Sequence, residues 1–137
     1  MNLTQEFPRS PKDQIAGLVH VPRMVDKARA ARQNTLGEYI FPCPLDKIML
    51  EFMGVDAETF QQRACGDTEE TLSGWISAQC QNRSQDEKTA VNHKILNSRP
   101  DDPDKWKTFY EIRDRLDSSR TDITTWVDLI DLEEGRH

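Results

Sequence analysis

The stretch "PLDKIMLEFMG", residues 44–54, decides the fold class of this chain. Its apolar residues follow the spacing i, i+3, i+4, i+7 and i+8, which places them on one face of an α-helix, and Gly54 then ends that helix. The same helical period recurs along the chain, and no segment alternates apolar and polar residues as a β-strand does. We therefore expect an all-α fold: one compact domain over residues 1–137, built as a bundle of six to seven short helices.

Capping residues predict where several of these helices begin. Ser10 followed by Pro11 predicts a short first helix over residues 10–17, and Pro22 starts a second one. Asp56 caps a third, and Ser84 with Glu87 has the spacing of a capping box.

The C-terminal part of the chain offers the same signals. Asp102 followed by Pro103 predicts another helix, and a final one is expected over residues 122–133. Apolar spacing predicts buried positions in this part for Trp106, Phe109, Tyr110 and Leu116, and for Ile123, Trp126, Val127 and Ile130.

Charge is unevenly distributed along a polar chain. Hydrophobic residues make up 36% and charged residues 31% of the sequence, and the net charge is -6. Residues 1–33 hold six Lys or Arg and three acids, net +3, whereas the remainder holds 12 basic and 21 acidic residues, net -9. Either the two parts attract each other within one fold, or the basic part binds an anionic ligand. An acidic chain repels phosphate backbones, so we expect no nucleic-acid partner.

Cysteine usage and hydropathy indicate a compartment. Cys43, Cys65 and Cys80 form no Cys-x-x-Cys pair, and the N-terminus shows no signal peptide, so free thiols in a reducing cytoplasm are expected. No apolar run approaches the ~20 residues that cross a bilayer, so no membrane partner is expected. The histidines (His20, His93 and His137) have no metal-ligand spacing, so we expect neither metal nor cofactor.

Cys43 lies between two prolines, in "FPCPLD". Each proline biases the residue before it towards extended backbone, and Pro44 fits the first position of the helix that follows. Cys43 is therefore predicted to be the N-cap of that helix, where the positive end of the dipole favours a nucleophilic thiolate. The alternative is a small residue at a rigid elbow, without reactivity.

A second set of polar residues occupies the basic helix. Arg23 and Lys27 are four residues apart and share a face, and Asp26 is predicted to pair with Arg29. Three more polar residues follow a short distance along the chain, where they can fold back onto this face: Glu38, Tyr39 and Asp46. The set forms either a solvated face of ordinary ion pairs or a polar pocket whose cations hold an anionic group.

Four segments carry a family resemblance: "FPRSPK", "LVHVPRMVDKARA", "GEYIFPCPLD" and "TWVDLIDLEEG". Together they resemble the bacterial family catalogued as domain of unknown function 5069, over nearly the whole chain. The resemblance implies a small bacterial single-domain protein and carries no established activity, cofactor or catalytic residue. It marks these motif positions without assigning them roles: Pro22, Arg23, Asp26, Lys27, Ala28, Arg29, Gly37, Glu38, Tyr39, Cys43, Pro44 and Asp46.

Three functions are compatible with these patterns. The leading hypothesis is a non-enzymatic binding module, with a pocket for a small anionic ligand between the basic helix and the Cys43 elbow. The alternative is a small-molecule enzyme with Cys43 as nucleophile and Glu38 or His20 as proton carrier. A third is a helical adaptor that binds a protein partner through its acidic C-terminal half. The sequence specifies no oligomeric state.

Overall fold

The computed structural model describes residues 1–136, which form seven helices and one two-stranded sheet. The two strands come first and the helices follow, with these bounds: β1 Gln14–Ile15, β2 Leu18–Val19, α1 Val21–Arg32, α2 Pro44–Met53, α3 Ala57–Gly66, α4 Glu69–Gln79, α5 Gln85–Leu96, α6 Pro103–Asp117 and α7 Trp126–Glu133. The all-α prediction is confirmed. His137 lies outside the described residues, and the prediction of one domain over the whole chain stays a prediction. Across residues 1–136, no helix is both long and apolar enough to cross a membrane.

Helix α2 forms as its sequence predicts. Pro44 occupies its first position, Met49 and Met53 are buried, and Gly54 ends it with a positive φ of 69°, a conformation that glycine adopts at little cost. The other capping signals are also confirmed, because the side chains of Asp56, Ser84 and Asp102 each accept a backbone N–H in the first turn of their helix.

The predicted helix over residues 10–17 is wrong. Ser10 Oγ accepts from Lys12 N at 3.1 Å and donates to the Asp131 carboxylate at 2.9 Å, so its hydroxyl closes a local turn and does not cap a helix. The chain then forms an antiparallel β1–β2 hairpin. Its two turn residues, Ala16 and Gly17, both have positive φ (54° and 78°), the backbone of a tight hairpin turn.

Helix α1 lies at the centre of the larger apolar cluster. Its residues Met24, Val25 and Ala28 are fully buried, as its predicted stripe requires, whereas Ala31 is only half-buried. The cluster also draws on the hairpin and on helices α2 to α5 and α7. Because α1 is surrounded on most sides, its polar residues are carried into the interior together with its apolar ones.

A smaller apolar cluster joins α6 and α7 around Phe109, Ile123 and Leu129. The predicted burial of Tyr110 and Leu116 is wrong, since they are 41% and 42% exposed. Within residues 1–136, α6 packs mainly against α7 and the loop that precedes α7, so its apolar stripe is wider than the surface that buries it.

The last helix begins later than predicted. Asp122 binds Arg120 through its carboxylate and does not cap a helix. Instead Thr125 is the cap, and its hydroxyl accepts from Asp128 N. Ile123 and Val127 are buried as expected, whereas Trp126 and Ile130 are only half-buried.

Candidate functional site

The polar residues of α1 are buried. Arg23, Asp26 and Lys27 are each at most 4% exposed, and His20, the N-cap of α1, is 1% exposed. The hairpin positions His20, whose backbone N–H donates to Asp13 O at 3.0 Å and whose φ is 73°. This left-handed backbone is uncommon for a residue with a side chain, and such strain occurs where the surrounding structure holds it in place.

Lys27 is the centre of the first polar cluster. Its Nζ donates to Asp46 Oδ2 at 2.7 Å, to Ile40 O at 3.2 Å and to Cys43 Sγ at 3.3 Å. An ammonium group has three N–H donors, so this one is fully satisfied. Lys27 therefore ties α1 to the segment that leads into α2, and Asp46 neutralises its charge.

Asp46 contacts the other polar residues of this cluster through both of its carboxylate oxygens. Its Oδ2 accepts from the Cys43 backbone N–H at 2.8 Å as well as from Lys27, and its Oδ1 lies 2.6 Å from His20 Nε2. Burial raises the pKa of Asp46, but the hydrogen bond from His20 and the charge of Lys27 outweigh this, so the pKa falls to about 2. Asp46 is consequently ionised at neutral pH.

The imidazole of His20 is neutral in the same environment. Burial lowers its pKa below the ordinary value, and the hydrogen bond and charge of Asp46 only partly offset this, while Lys27 and Arg23 lower it further. An ionised carboxylate only accepts, so Nε2 carries the proton and Nδ1 carries a lone pair. Among residues 1–136, Nδ1 has no hydrogen-bond partner although it is buried.

Cys43 is the N-cap of α2, as predicted, with extended backbone at φ -91° and ψ 173°. It is half-buried and carries a free thiol. One ligand atom from each of His20, Cys43 and Asp46 lies within 4.8 Å of the other two. The sequence separates His20 from Cys43 by 22 residues, so spacing gave no signal of this approach.

These three side chains have the nitrogen, sulfur and oxygen donors that zinc accepts. The Lys27 ammonium, however, already lies against Cys43 Sγ and Asp46 Oδ2, so a divalent cation there would meet a fixed positive charge. The expectation of no metal therefore stays a prediction, which elemental analysis of the purified protein tests.

Arg23 belongs to a second polar cluster, around Glu134 beyond the end of α7. Arg23 Nη1 and Nη2 each donate to a different oxygen of Glu134 at 2.8 Å, and Tyr39 Oη donates to Oε2 at 2.8 Å. Arg136 Nη1 donates to Oε1 at 2.6 Å. Burial and the hydrogen bond to Glu134 raise the pKa of Tyr39 to about 12, so its hydroxyl keeps its proton.

Sequence reasoning missed Glu134, although it accepts more hydrogen bonds than any predicted site residue of this second cluster. Its distance from Arg23, 111 residues along the chain, gives no helical or hairpin signal. The one available signal was its place in "TWVDLIDLEEG", a segment that carries the family resemblance.

The predicted pair of Asp26 with Arg29 is wrong. Asp26 accepts from Arg9 instead, from its backbone N–H at 2.8 Å and from its guanidinium at 3.1 Å. Arg29 donates to Ala64 O at 2.7 Å and so ties α1 to α3. Residues three apart on a helix were near enough to pair, but the N-terminal segment supplied a bidentate partner.

A cleft of about 740 Å³ opens beside the second cluster. Its walls are the segment of residues 3–7, the turn at residues 37–39 and the exposed side of α7. Arg23 and Tyr39 line it, and so does Glu38, which makes no hydrogen bond or ion pair with the rest of residues 1–136. Neither Cys43 nor Lys27 lines the cleft, so the predicted site residues divide between two separate places.

Comparison with known proteins identifies a family and assigns no activity. No curated protein matches the chain. The profile of the family described as Domain of unknown function (DUF5069) matches residues 5–136 of the 137 residues, which include both polar clusters and the lining of the cleft apart from Leu3 and Thr4. The chain belongs to the DUF5069 family.

Proposed function

We propose that this protein binds a small-molecule ligand in the cleft beside Arg23 and Tyr39. The observation that carries this proposal is the cleft itself, whose volume of about 740 Å³ lies within the range of ordinary ligand sites. Its lining combines apolar surface, from Leu3, Phe7 and Ile130, with polar groups that can fix an orientation. Phe7 is 53% exposed and offers an aromatic face to a ligand.

The charges of the lining favour a ligand with a cationic group. Among the lining residues within 1–136, Arg23 is the one cation, and Glu134 already neutralises it. The carboxylates of Glu6, Glu38 and Glu133 have no ion-pair partner within residues 1–136. A small anion would therefore meet uncompensated negative charge, whereas an organic ammonium compound would relieve it.

A ligand with a cationic group differs from the anionic ligand that we expected from the sequence. That expectation depended on Arg23 and Lys27 being adjacent cations without counter-charge, and the structure gives each a buried carboxylate. Cys43 does not line the cleft, so binding there and chemistry at Cys43 are independent hypotheses.

The test is a thermal-shift screen with two panels of small molecules, one of organic ammonium compounds and one of phosphate and carboxylate anions. Binding to the folded state raises the melting temperature in proportion to affinity and concentration. We expect ammonium compounds to raise it and anions to leave it unchanged. Glu38→Gln and Glu133→Gln should weaken the response, whereas Glu111→Gln, an exposed glutamate of α6 away from the cleft, should not.

The other outcomes separate the two parts of the proposal. A shift with anions alone keeps the binding function and restores the anionic ligand expected from the sequence. A shift that is equal in all variants places the ligand outside the cleft. No shift with either panel overturns the binding proposal.

A further inference from the structure

We propose that Cys43 is a nucleophile, that His20 is its general base and that Asp46 is the positioning residue that orients His20. The three have the arrangement that nucleophilic catalysis by a thiol requires: a nucleophile, a base near it and a third group that holds the base. This activity goes beyond ligand binding and uses a different part of the molecule.

The hydrogen bonds of the imidazole support this assignment of roles. His20 Nε2 donates to Asp46 Oδ1 at 2.6 Å, which fixes the tautomer and leaves Nδ1 with a free lone pair. Nδ1 is buried and lacks a partner within residues 1–136, although buried polar atoms are usually paired. A purely structural imidazole gains nothing from an unpartnered nitrogen, whereas a general base needs one.

His20 and Cys43 lie close together, and they differ in burial. One ring nitrogen of His20 lies within 4.8 Å of Cys43 Sγ, and the contact between a nucleophile and its base is often longer than a hydrogen bond until a substrate binds. Asp46 is 0% exposed and His20 1%, whereas Cys43 is half-buried. The nucleophile is therefore the member of the set that solvent reaches.

Two positive groups favour negative charge on the sulfur. Lys27 Nζ donates to Sγ at 3.3 Å, and Cys43 lies at the N-terminus of α2, a helix of ten residues. Lys27 is thus a second positioning residue, which holds the thiol and carries the counter-charge of Asp46 at the same time.

The arrangement suits acyl transfer from a small activated ester or thioester to water. His20 Nδ1 takes the thiol proton as Sγ attacks the carbonyl carbon; an S–C bond forms, and the bond from that carbon to the leaving oxygen or sulfur breaks. The proton passes from His20 to the leaving group. Water then attacks the thioester on Cys43, which releases a carboxylic acid and returns the proton to the thiol.

Cys65 provides a matched internal control, because it is also a half-buried free thiol, and within residues 1–136 its Sγ has the Ala28 carbonyl, at 4.0 Å, as hydrogen-bond partner and no basic group. The probe is p-nitrophenyl acetate, with nitrophenolate release followed by absorbance and the acetylated cysteine located by mass spectrometry. We expect acetylation of Cys43 at least about 10-fold faster than that of Cys65. Cys43→Ala should lower the initial rate of release at least about 10-fold, to what the remaining thiols support, and Cys65→Ala should leave it nearly unchanged.

His20→Gln distinguishes a general base from a histidine with a structural role alone. The glutamine amide N–H can still reach Asp46, whereas the free ring nitrogen is lost. We expect it to slow acetylation of Cys43, as located by mass spectrometry, by about 100-fold, the usual lower range for a lost general base, and to leave Cys65 acetylation unchanged. If the variant does not fold, the wild-type rate of Cys43 acetylation must still fall less steeply than that of Cys65 between pH 8 and pH 6.5, because neutral His20 takes the thiol proton there, whereas Cys65 reacts only as its thiolate fraction allows. Equal rates at Cys43 and Cys65 in the wild type, or matching pH profiles, would overturn the proposal.

Discussion

Helices α1 and α6 look alike in sequence and differ in where their charges lie. Both begin with a proline in the first turn and carry basic and acidic residues among apolar ones. In α1, Arg23 and Lys27 are buried and pair with carboxylates 111 and 19 residues away. In α6, Lys105 is exposed and pairs with Asp101, four residues before it. Helix α1 therefore forms buried ion pairs with distant parts of the chain, whereas α6 forms an ion pair at the surface.

The difference teaches that packing around a helix, and not its own charges, decides what its ion pairs contribute. Helix α1 contacts the hairpin, α2 and α3, whereas α6 contacts mainly α7. An exposed pair is screened by water and gains little, but a buried charge that loses its partner is left without solvation. Substitutions that break a buried pair should therefore lower stability far more than substitutions that break an exposed pair.

The largest effect is expected for Lys27→Ala. It leaves the Asp46 carboxylate buried without its cation, and we expect the free energy of unfolding to fall by roughly 3–5 kcal/mol. The matched control is Lys105→Ala, which removes the exposed pair with Asp101 and should leave the stability unchanged within error. Urea unfolding followed by circular dichroism measures both. Similar losses from the two substitutions would contradict the contrast between the helices.

Arg23→Ala should have a smaller effect of the same kind, about 3 kcal/mol, at the lower end of the range for a broken buried pair. Glu134 keeps two other partners, since Arg136 and Tyr39 still donate to it. Melting temperatures of the variant and the wild type, with and without phosphate, test this. A variant as stable as the wild type, with a phosphate response that only the wild type shows, would instead make Arg23 an anion-binding residue.

Acidification should destabilise the protein through Asp46 and His20. The pKa of Asp46 is about 2 in the folded state against an ordinary 3.8, so its contribution is complete above about pH 3.8 and is lost as the pH falls through 2. That contribution is about 2 kcal/mol. The pKa of His20 is lowered, so the unfolded chain binds its proton first and stability already declines below pH 6.5.

Urea unfolding at a series of pH values tests this dependence, and Asp46→Asn supplies the comparison. We expect the wild type to lose stability steadily from pH 6.5 downwards. The variant should lack the further decline below about pH 3.8, because it has no carboxylate at position 46 to protonate. Stability that is flat between pH 6.5 and pH 4 would show that His20 is not held neutral in the fold.

Local signals in the sequence predicted most of the fold. The apolar spacing of α2, its glycine end and the caps at Asp56, Ser84 and Asp102 each depend on neighbours within a few residues, and all are confirmed. The hairpin was missed because Ser10 and Pro11 imitate a helix start. The hydroxyl of Ser10 instead closes a turn and binds Asp131, a partner 121 residues away that no local pattern contains.

The candidate site was predicted only in part for the same reason. Cys43 as the N-cap of α2 followed from two prolines, and the fold-back of Tyr39 and Asp46 towards α1 was anticipated because both follow shortly after a turn. The approach of His20 to Asp46 depends on the left-handed backbone that the hairpin imposes. The partners of Arg23 and Asp26 come from the two ends of the chain, so the charge excess of residues 1–33 could not show that it is neutralised internally.

A double-mutant cycle between Lys27 and Asp46 tests most directly whether the charges of α1 are compensated inside the fold. Lys27→Met and Asp46→Asn each leave one buried charge without its partner, whereas the double variant leaves none. We expect the double variant to be more stable in urea than either single variant, and to fold even if a single variant does not. Losses that simply add, with the double variant the least stable of the three, would contradict the account.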